Sequence, residues 1–307
     1  MDVNMNDGDN TMENNKWLEG LRVIHDNSIK SLGIGTIVEV DPKYIWIAFD
    51  KEKDGKPRRF LMTSLDGDLL RVAETQSEEK LSLLERVIKE ADRQARYDAL
   101  LSKLKTYGFE GFVHYTAYDN LKSILDSGYI YSRGEMISRG TEWVDVAEVS
   151  VLQDTPDEVK NKVRLLYGFN TPISYWFERR AKERNTEMVA IVIDPRILLE
   201  RKVQCYERSA ARSMYGNSSS DMELVKNYNW NEIFERGSLS MDDCVKDYKK
   251  KYRDAEVVVD GSLSTEYISA IYFRSEEFLK KAKQEIGCYD FFRRGRISSD
   301  KHFTPGV

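Results

Sequence analysis

Cysteine is scarce in this chain. Its three residues, Cys205, Cys244 and Cys288, are too widely spaced for a disulfide framework or a zinc site. No apolar run is long enough to span a bilayer, and no signal peptide is recognisable. A surplus of positive charge is missing too. The 47 Lys and Arg against 52 Asp and Glu give a net charge of -5, which excludes a globally basic nucleic-acid binder and leaves local basic patches open. The expectation is a soluble, cytoplasmic protein with no membrane partner. What is present argues against disorder: 41% hydrophobic and 11% aromatic residues across 307 positions allow one large or two modest domains.

The first sixteen residues are rich in Asn, Asp and Met without periodicity and read as a disordered tail. Residues 17–73 read as a small β module. Arg22 to His25, Gly35 to Val40, Tyr44 to Phe49 and Arg59 to Thr63 are short strands between Gly, Asp and Pro turns. This pattern suggests an SH3- or Tudor-like barrel, and it resembles the small barrels appended to some DNA helicases. Gly33-x-Gly35 has no third glycine and no following helix, so it is expected to form a tight turn rather than a dinucleotide fingerprint. His25 reads as structural, and the module as a docking element. Residues 74–107 read as a helical linker, with Leu81, Leu84, Val87 and Ile88, then Leu100, Leu101 and Leu104, at helical spacing.

The pattern changes at Phe112. Phe112-Val113-His114-Tyr115-Thr116 reads as a strand. Thr116 suits a helix N-cap with Asp119 completing a capping box, and Gly128 suits the C′ position of that helix. His114 then sits at a strand end beside a helix N-terminus, where backbone donors favour phosphate; a satisfied core histidine is the alternative. Val189 to Ile193, Ala255 to Val259 and Ala270 to Phe273 read as further strands, and Tyr206 to Asp221 as irregular. Asn229 to Phe234 reads as a helical turn anchored by Trp230. Strands without regular helix alternation indicate an α+β fold over residues 108–307.

Glu256 interrupts the apolar run Ala255-Glu256-Val257-Val258-Val259. A carboxylate there either finds a partner and a function or is turned into solvent by strand alternation. Two basic stretches are also left open. Arg179-Arg180-x-Lys182-x-Arg184 is a solvated helix face or a phosphate contact. Phe291-Phe292-Arg293-Arg294-Gly295-Arg296 is a packed tail or a single-strand binder. Tyr175 and Trp176 read as core or as base-stacking platforms.

Three strings together resemble the DarT-type ADP-ribosyltransferases, which modify bases in nucleic acids. They are His114-x-Thr116-x3-Asn120-Leu121-x2-Ile124-x2-Ser127-Gly128, then Asn170-Thr171-Pro172-Ile173, then Ala255-Glu256-Val257-Val258-Val259. The resemblance spans roughly residues 108 to 275 and implies a mixed β core with flanking helices. It implies NAD as co-substrate without a metal, and transfer to single-stranded DNA or RNA by a bacterial toxin or phage-defence effector with an antitoxin or chaperone partner. It makes Glu256 the catalytic acid and places His114, Thr116, Asn120, Gly128, Asn170 and Tyr175 around the NAD. Arg208, Ser209 and Arg212 would face the substrate.

The chain departs from the family where Asn170 replaces an arginine that meets the NAD phosphates, leaving Arg133, Arg179, Arg180 or Arg208 for that contact. Ser209 stands where the family has His or Asn, which leaves the acceptor base open. The alternatives are a protein acceptor, or a non-catalytic NAD- or nucleic-acid-binding module.

Overall fold

A computed structural model describes residues 18–25, 32–41, 43–66, 69–72, 78–146, 155–169, 171–211, 218–235, 252–297 and 303–305. The chain divides into two compact units, Met1–Asp98 and Ala99–Val307.

The first unit carries five antiparallel strands in the order β4-β3-β2-β1-β5: β1 (Arg22–His25), β2 (Gly33–Val40), β3 (Tyr44–Phe49), β4 (Arg58–Leu61) and β5 (Leu70–Val72). Alternation decides which side chains enter its core. In β3, Ile45, Ile47 and Phe49 are buried while Tyr44, Trp46 and Ala48 are half-buried on the other face. Val87, Ile88 and Ala91 of the long helix α1 (Glu78–Lys105) pack against this core; the Leu81 and Leu84 side chains lie outside the described residues. No pairing joins β4 to β5 among the described residues, so the expected barrel is seen as a five-stranded sheet.

Gly33-x-Gly35 is not a turn but the start of β2. A Cβ at Gly35 would come within 2.7 Å of Ile47 Cγ2 and 2.9 Å of the Ala48 carbonyl, so close strand approach explains that glycine. His25 is structural, as expected: it is buried against Phe49 and Phe60, and its Nδ1 accepts from the Leu32 amide at 3.2 Å.

The second unit is α+β, with a nine-stranded sheet in the order β11-β10-β12-β8-β6-β9-β14-β15-β16. Its strands are β6 (Phe112–Ala117), β8 (Lys162–Leu166), β9 (Met188–Ile193), β10 (Val203–Tyr206), β11 (Ser218–Ser219), β12 (Glu256–Asp260), β14 (Ile268–Phe273), β15 (Phe292–Ile297) and β16 (Phe303–Pro305); β7 (Tyr129–Ile130) pairs separately with β13 (Leu263–Ser264). The longer helices are α2 (Tyr118–Ser127), α3 (Arg133–Ser138), α4 (Pro172–Glu183) and α5 (Glu276–Glu285). All six residues of β9 are buried, as are Glu256 to Val259 of β12, which marks these as central strands covered on both faces. Of the Phe291–Arg296 stretch, residues from Phe292 onward lie in β15. Phe292 is buried against Phe273, and Arg293 and Arg294 are exposed.

Two further expectations need correction. Thr116 does not cap α2: Ala117 occupies the N-cap position and no side chain caps it, because β6 continues through Ala117. The stretch from Tyr206 to Asp221 is also not wholly irregular, since it reaches from β10 to β11; residues 212–217 lie outside the described residues.

One junction in the sheet matters most for the site. β6 and β8 pair at Val113↔Leu166 alone. On either side of that junction the ladders are long, six pairs between β6 and β9 and five between β8 and β12.

Candidate active site

A cavity of about 290 Å³ opens where β6 and β8 part. Its walls include His114 and Thr116 from β6, Asn120 from α2, Arg164 from β8 and Glu256 from β12.

Antiparallel pairing builds the acidic side. Glu256 lies opposite Leu166, and Arg164 opposite Val258, so Glu256 and Arg164 project from the same face of the sheet. Arg164 donates to both oxygens of Glu256, from Nε to Oε2 at 3.1 Å and from Nη2 to Oε1 at 2.6 Å. The Ala210 amide adds a third donor to Oε2 at 2.9 Å. Glu256 is only 2% exposed, so strand alternation does not turn it into solvent. A buried carboxylate with a bidentate guanidinium and a backbone N–H is fixed in direction.

His114 occupies the place where the next ladder bond of β6 and β8 would fall. Its Nδ1 lies 3.2 Å from the Arg164 carbonyl, which can only accept, so Nδ1 carries the hydrogen and Nε2 of the neutral ring is an acceptor. Burial pushes its pKa below the usual histidine range, and the bond to Arg164 partly opposes this. The consequence for stability has a definite sign. The unfolded histidine takes a proton near pH 6.5, whereas the folded one takes it only at lower pH. Stability is therefore expected to fall as pH drops from 7 through that window, and to level off below the folded pKa. Urea midpoints between pH 7.5 and 5 for the wild type and His114→Asn measure this; equal pH dependence in both would contradict it.

Asn120 acts first on the protein itself. Its amide donates to the Val144 carbonyl at 2.9 Å and to Thr116 Oγ1 at 3.0 Å, and its Oδ1 accepts from the Val144 amide at 2.8 Å. It thereby holds the segment carrying Trp143 and Asp145 against the cavity. Gly128 ends α2 at φ +74, where a side chain would be strained, and its neighbours Ser127 and Tyr129 reach the cavity.

The other expected residues are placed differently. Asn170 and Arg212 lie outside the described residues, as does the Tyr175 side chain. Ser209 Oγ accepts from Arg164 Nη2 at 3.3 Å, so it belongs to the shell around Glu256. Arg208 instead donates to the Tyr252 hydroxyl at 2.9 Å, with its guanidinium 4.5 Å from that ring. Of the four arginines considered for phosphate, Arg133 alone lines the cavity, paired with Asp145. Arg179 pairs with Glu183 on α4 as on a solvated face, whereas Lys182 pairs with Glu178, a buried carboxylate that Arg274 also meets.

Sequence reasoning missed Arg164 and the two cavity lysines near it, Lys160 and Lys162. A signal was available, since Lys162-Val163-Arg164-Leu165 alternates polar and apolar residues like a half-buried strand. Among the described residues, no group of three His, Cys, Asp or Glu side chains is placed to hold a metal ion, and no helix is long and apolar enough to cross a membrane.

The cavity thus brings together a buried glutamate held by Arg164 and the Ala210 amide and a histidine whose Nδ1 is engaged by the Arg164 carbonyl. The family model described as "ssDNA thymidine ADP-ribosyltransferase, DarT" matches residues 113–303, well over half of the chain, and the chain belongs to that family. It is thus an NAD-dependent ADP-ribosyltransferase. No protein of curated function matches it.

Similar solved structures include Thermus sp. 2.9 DarT in complex with NAD+, at 12% identity over 60% of this chain and 93% of that one, TM-score 0.46. Thermus sp. 2.9 DarT in complex with ADP-ribosylated ssDNA is 13% identical over 56% of this chain and 85% of that one, TM-score 0.46. Thermosipho africanus DarTG in complex with ADP-ribose is 19% identical over 60% of this chain and 49% of that one, TM-score 0.49.

Proposed function

We propose that this chain transfers the ADP-ribose of NAD to a thymine base in single-stranded DNA. The observation that carries this reading is the pairing of Glu256 with Arg164 and the Ala210 amide in a cavity that His114 also lines. In the reaction the bond between the ribose C1′ and the nicotinamide nitrogen breaks, and nicotinamide leaves with the bonding pair. Positive charge develops on the ribose, as in glycoside cleavage. The Glu256 carboxylate, fixed in direction by Arg164 and the Ala210 amide, stabilises that charge and orients the 2′-hydroxyl. A ring nitrogen of the base then bonds to C1′, and its proton passes to Glu256.

Within this reading His114 accepts from the NAD at Nε2. Thr116 shapes the ribose pocket, and Asn120 does so through the Val144 segment. Arg133, Lys160 and Lys162 are the cations that line the cavity beside Arg164, and the diphosphate is assigned to them. Arg164 and Ser209 keep Glu256 in place. Asn170, Tyr175, Arg208 and Arg212 remain assigned to the NAD and acceptor surfaces by their position within the resembling region.

The test is labelling with radioactive NAD of matched single-stranded DNA, RNA of the same sequence, and cell protein. Label lost to DNase and resistant to protease is the expected outcome. Label on RNA or on protein alone would assign a different acceptor. We also propose a toxin role held in check by an antitoxin: expression should arrest bacterial growth, and growth arrest that persists in Glu256→Gln would contradict it.

A further inference from the structure

Tyr129 and Tyr131 flank the buried Ile130 and so project to the same side of their strand. Their rings stack at 5.9 Å and 27°. The Arg139 guanidinium lies 4.4 Å from the centre of the Tyr131 ring. Glu135 holds it there, accepting from Arg139 Nε at 3.0 Å and Nη2 at 2.8 Å. The result is a cluster of two stacked rings and a guanidinium in which Tyr129 lines the cavity and is 44% exposed.

Backbone pairing holds the stack in place. Ile130 pairs with Leu263 and Tyr129 with Ser264, and the Thr265 amide donates to the Gly128 carbonyl at 2.9 Å. Its place along the cavity follows from the same pairing. β13 follows the Asp260 end of β12, and Gly261 bridges to Lys162. That end lies four residues, or about 13 Å, from Glu256 along the strand. Lys162, which bonds Asp260 at 3.1 Å, and Lys160 lie at the same end of β8. From Glu256 outward the cavity therefore offers a ribose site, then ammonium groups, then an aromatic stack.

We infer that the Tyr129–Tyr131–Arg139 stack binds the adenine of NAD; this rests on the function proposed above. A dinucleotide with its nicotinamide ribose at Glu256 carries its diphosphate past the lysines and sets a planar base at the far end. The acceptor base cannot be the occupant while it reacts, because it must meet C1′ at the Glu256 end. Aromatic rings hold any base by its π face, and Arg139 beside Tyr131 reinforces the stack through cation–π attraction.

The experiment compares wild type, Tyr129→Ala and Tyr129→Phe in the full chain, reading kcat and KM for NAD, KM for a single-stranded DNA oligonucleotide, and competition by AMP. Tyr129→Ala should raise the KM for NAD about tenfold or more with kcat little changed, and should weaken AMP competition by the same factor. Tyr129→Phe should behave as wild type, because the ring and not the hydroxyl stacks. An NAD KM of Tyr129→Ala within twofold of wild type, or equal AMP inhibition of both, overturns the assignment. A rise in the oligonucleotide KM alone also overturns it and gives the stack to the acceptor strand. A wild-type protein that releases no nicotinamide from NAD fails at the earlier step and contradicts the proposed function itself.

Discussion

Replacing Glu256 by Gln is expected to lower ADP-ribose transfer by about 10²–10⁴-fold, the range that a positioned acid or base contributes. The substitution keeps the shape of the side chain and one carbonyl oxygen able to accept from Ala210. It removes the charge that would stabilise the ribose cation, and it turns an amide donor toward the Arg164 guanidinium, which can only donate. Nicotinamide release and transfer to DNA should fall together, because one carboxylate serves both steps. Rates measured alongside a thermal unfolding midpoint separate this from simple unfolding. A folded Glu256→Gln protein with a rate within about threefold of wild type would remove Glu256 from the chemistry.

The second large effect is on stability. Arg164→Met leaves a carboxylate that is 2% exposed with the Ala210 amide as its one remaining donor among the contacts described. Breaking a buried pair in this way costs about 3–5 kcal/mol. The lower end is expected here, because the Arg164 side chain keeps 27% of its surface in contact with solvent. The cost should be largely specific to the charge left behind. Combining Arg164→Met with Glu256→Gln is therefore expected to recover much of the lost stability, as residues in direct contact do in a double-mutant cycle. Denaturant midpoints of the four proteins measure the coupling. Purely additive losses would mean that Arg164 contributes packing and not charge.

Much of this architecture was legible in the sequence because it rests on local rules. The alternation of Tyr44 to Phe49 and the apolar run Met188 to Ile193 each imply a strand, and Gly128 implies the end of a helix. His114, Asn120 and Glu256 were singled out through a family resemblance, whereas the contacts that hold them were not legible. Arg164 reaches Glu256 through the β8–β12 register, and Asn120 reaches Val144 across a loop; neither contact has a signature in neighbouring residues. Thr116 shows the limit of local rules most plainly. A residue well suited to cap a helix stays in the strand, because pairing with β9 continues one residue further, through Ala117. Gly35 went astray for a related reason, since glycine can mark a close approach between strands as well as a turn.

The central claim is transfer of ADP-ribose to a base of single-stranded DNA, and mass spectrometry of the product tests it most directly. A thymine-containing oligonucleotide incubated with the protein and NAD should gain one ADP-ribose, localised to thymine by fragmentation, while an otherwise identical strand without thymine should not. Nicotinamide released with both strands unmodified, or ADP-ribose found on a base other than thymine, would contradict it.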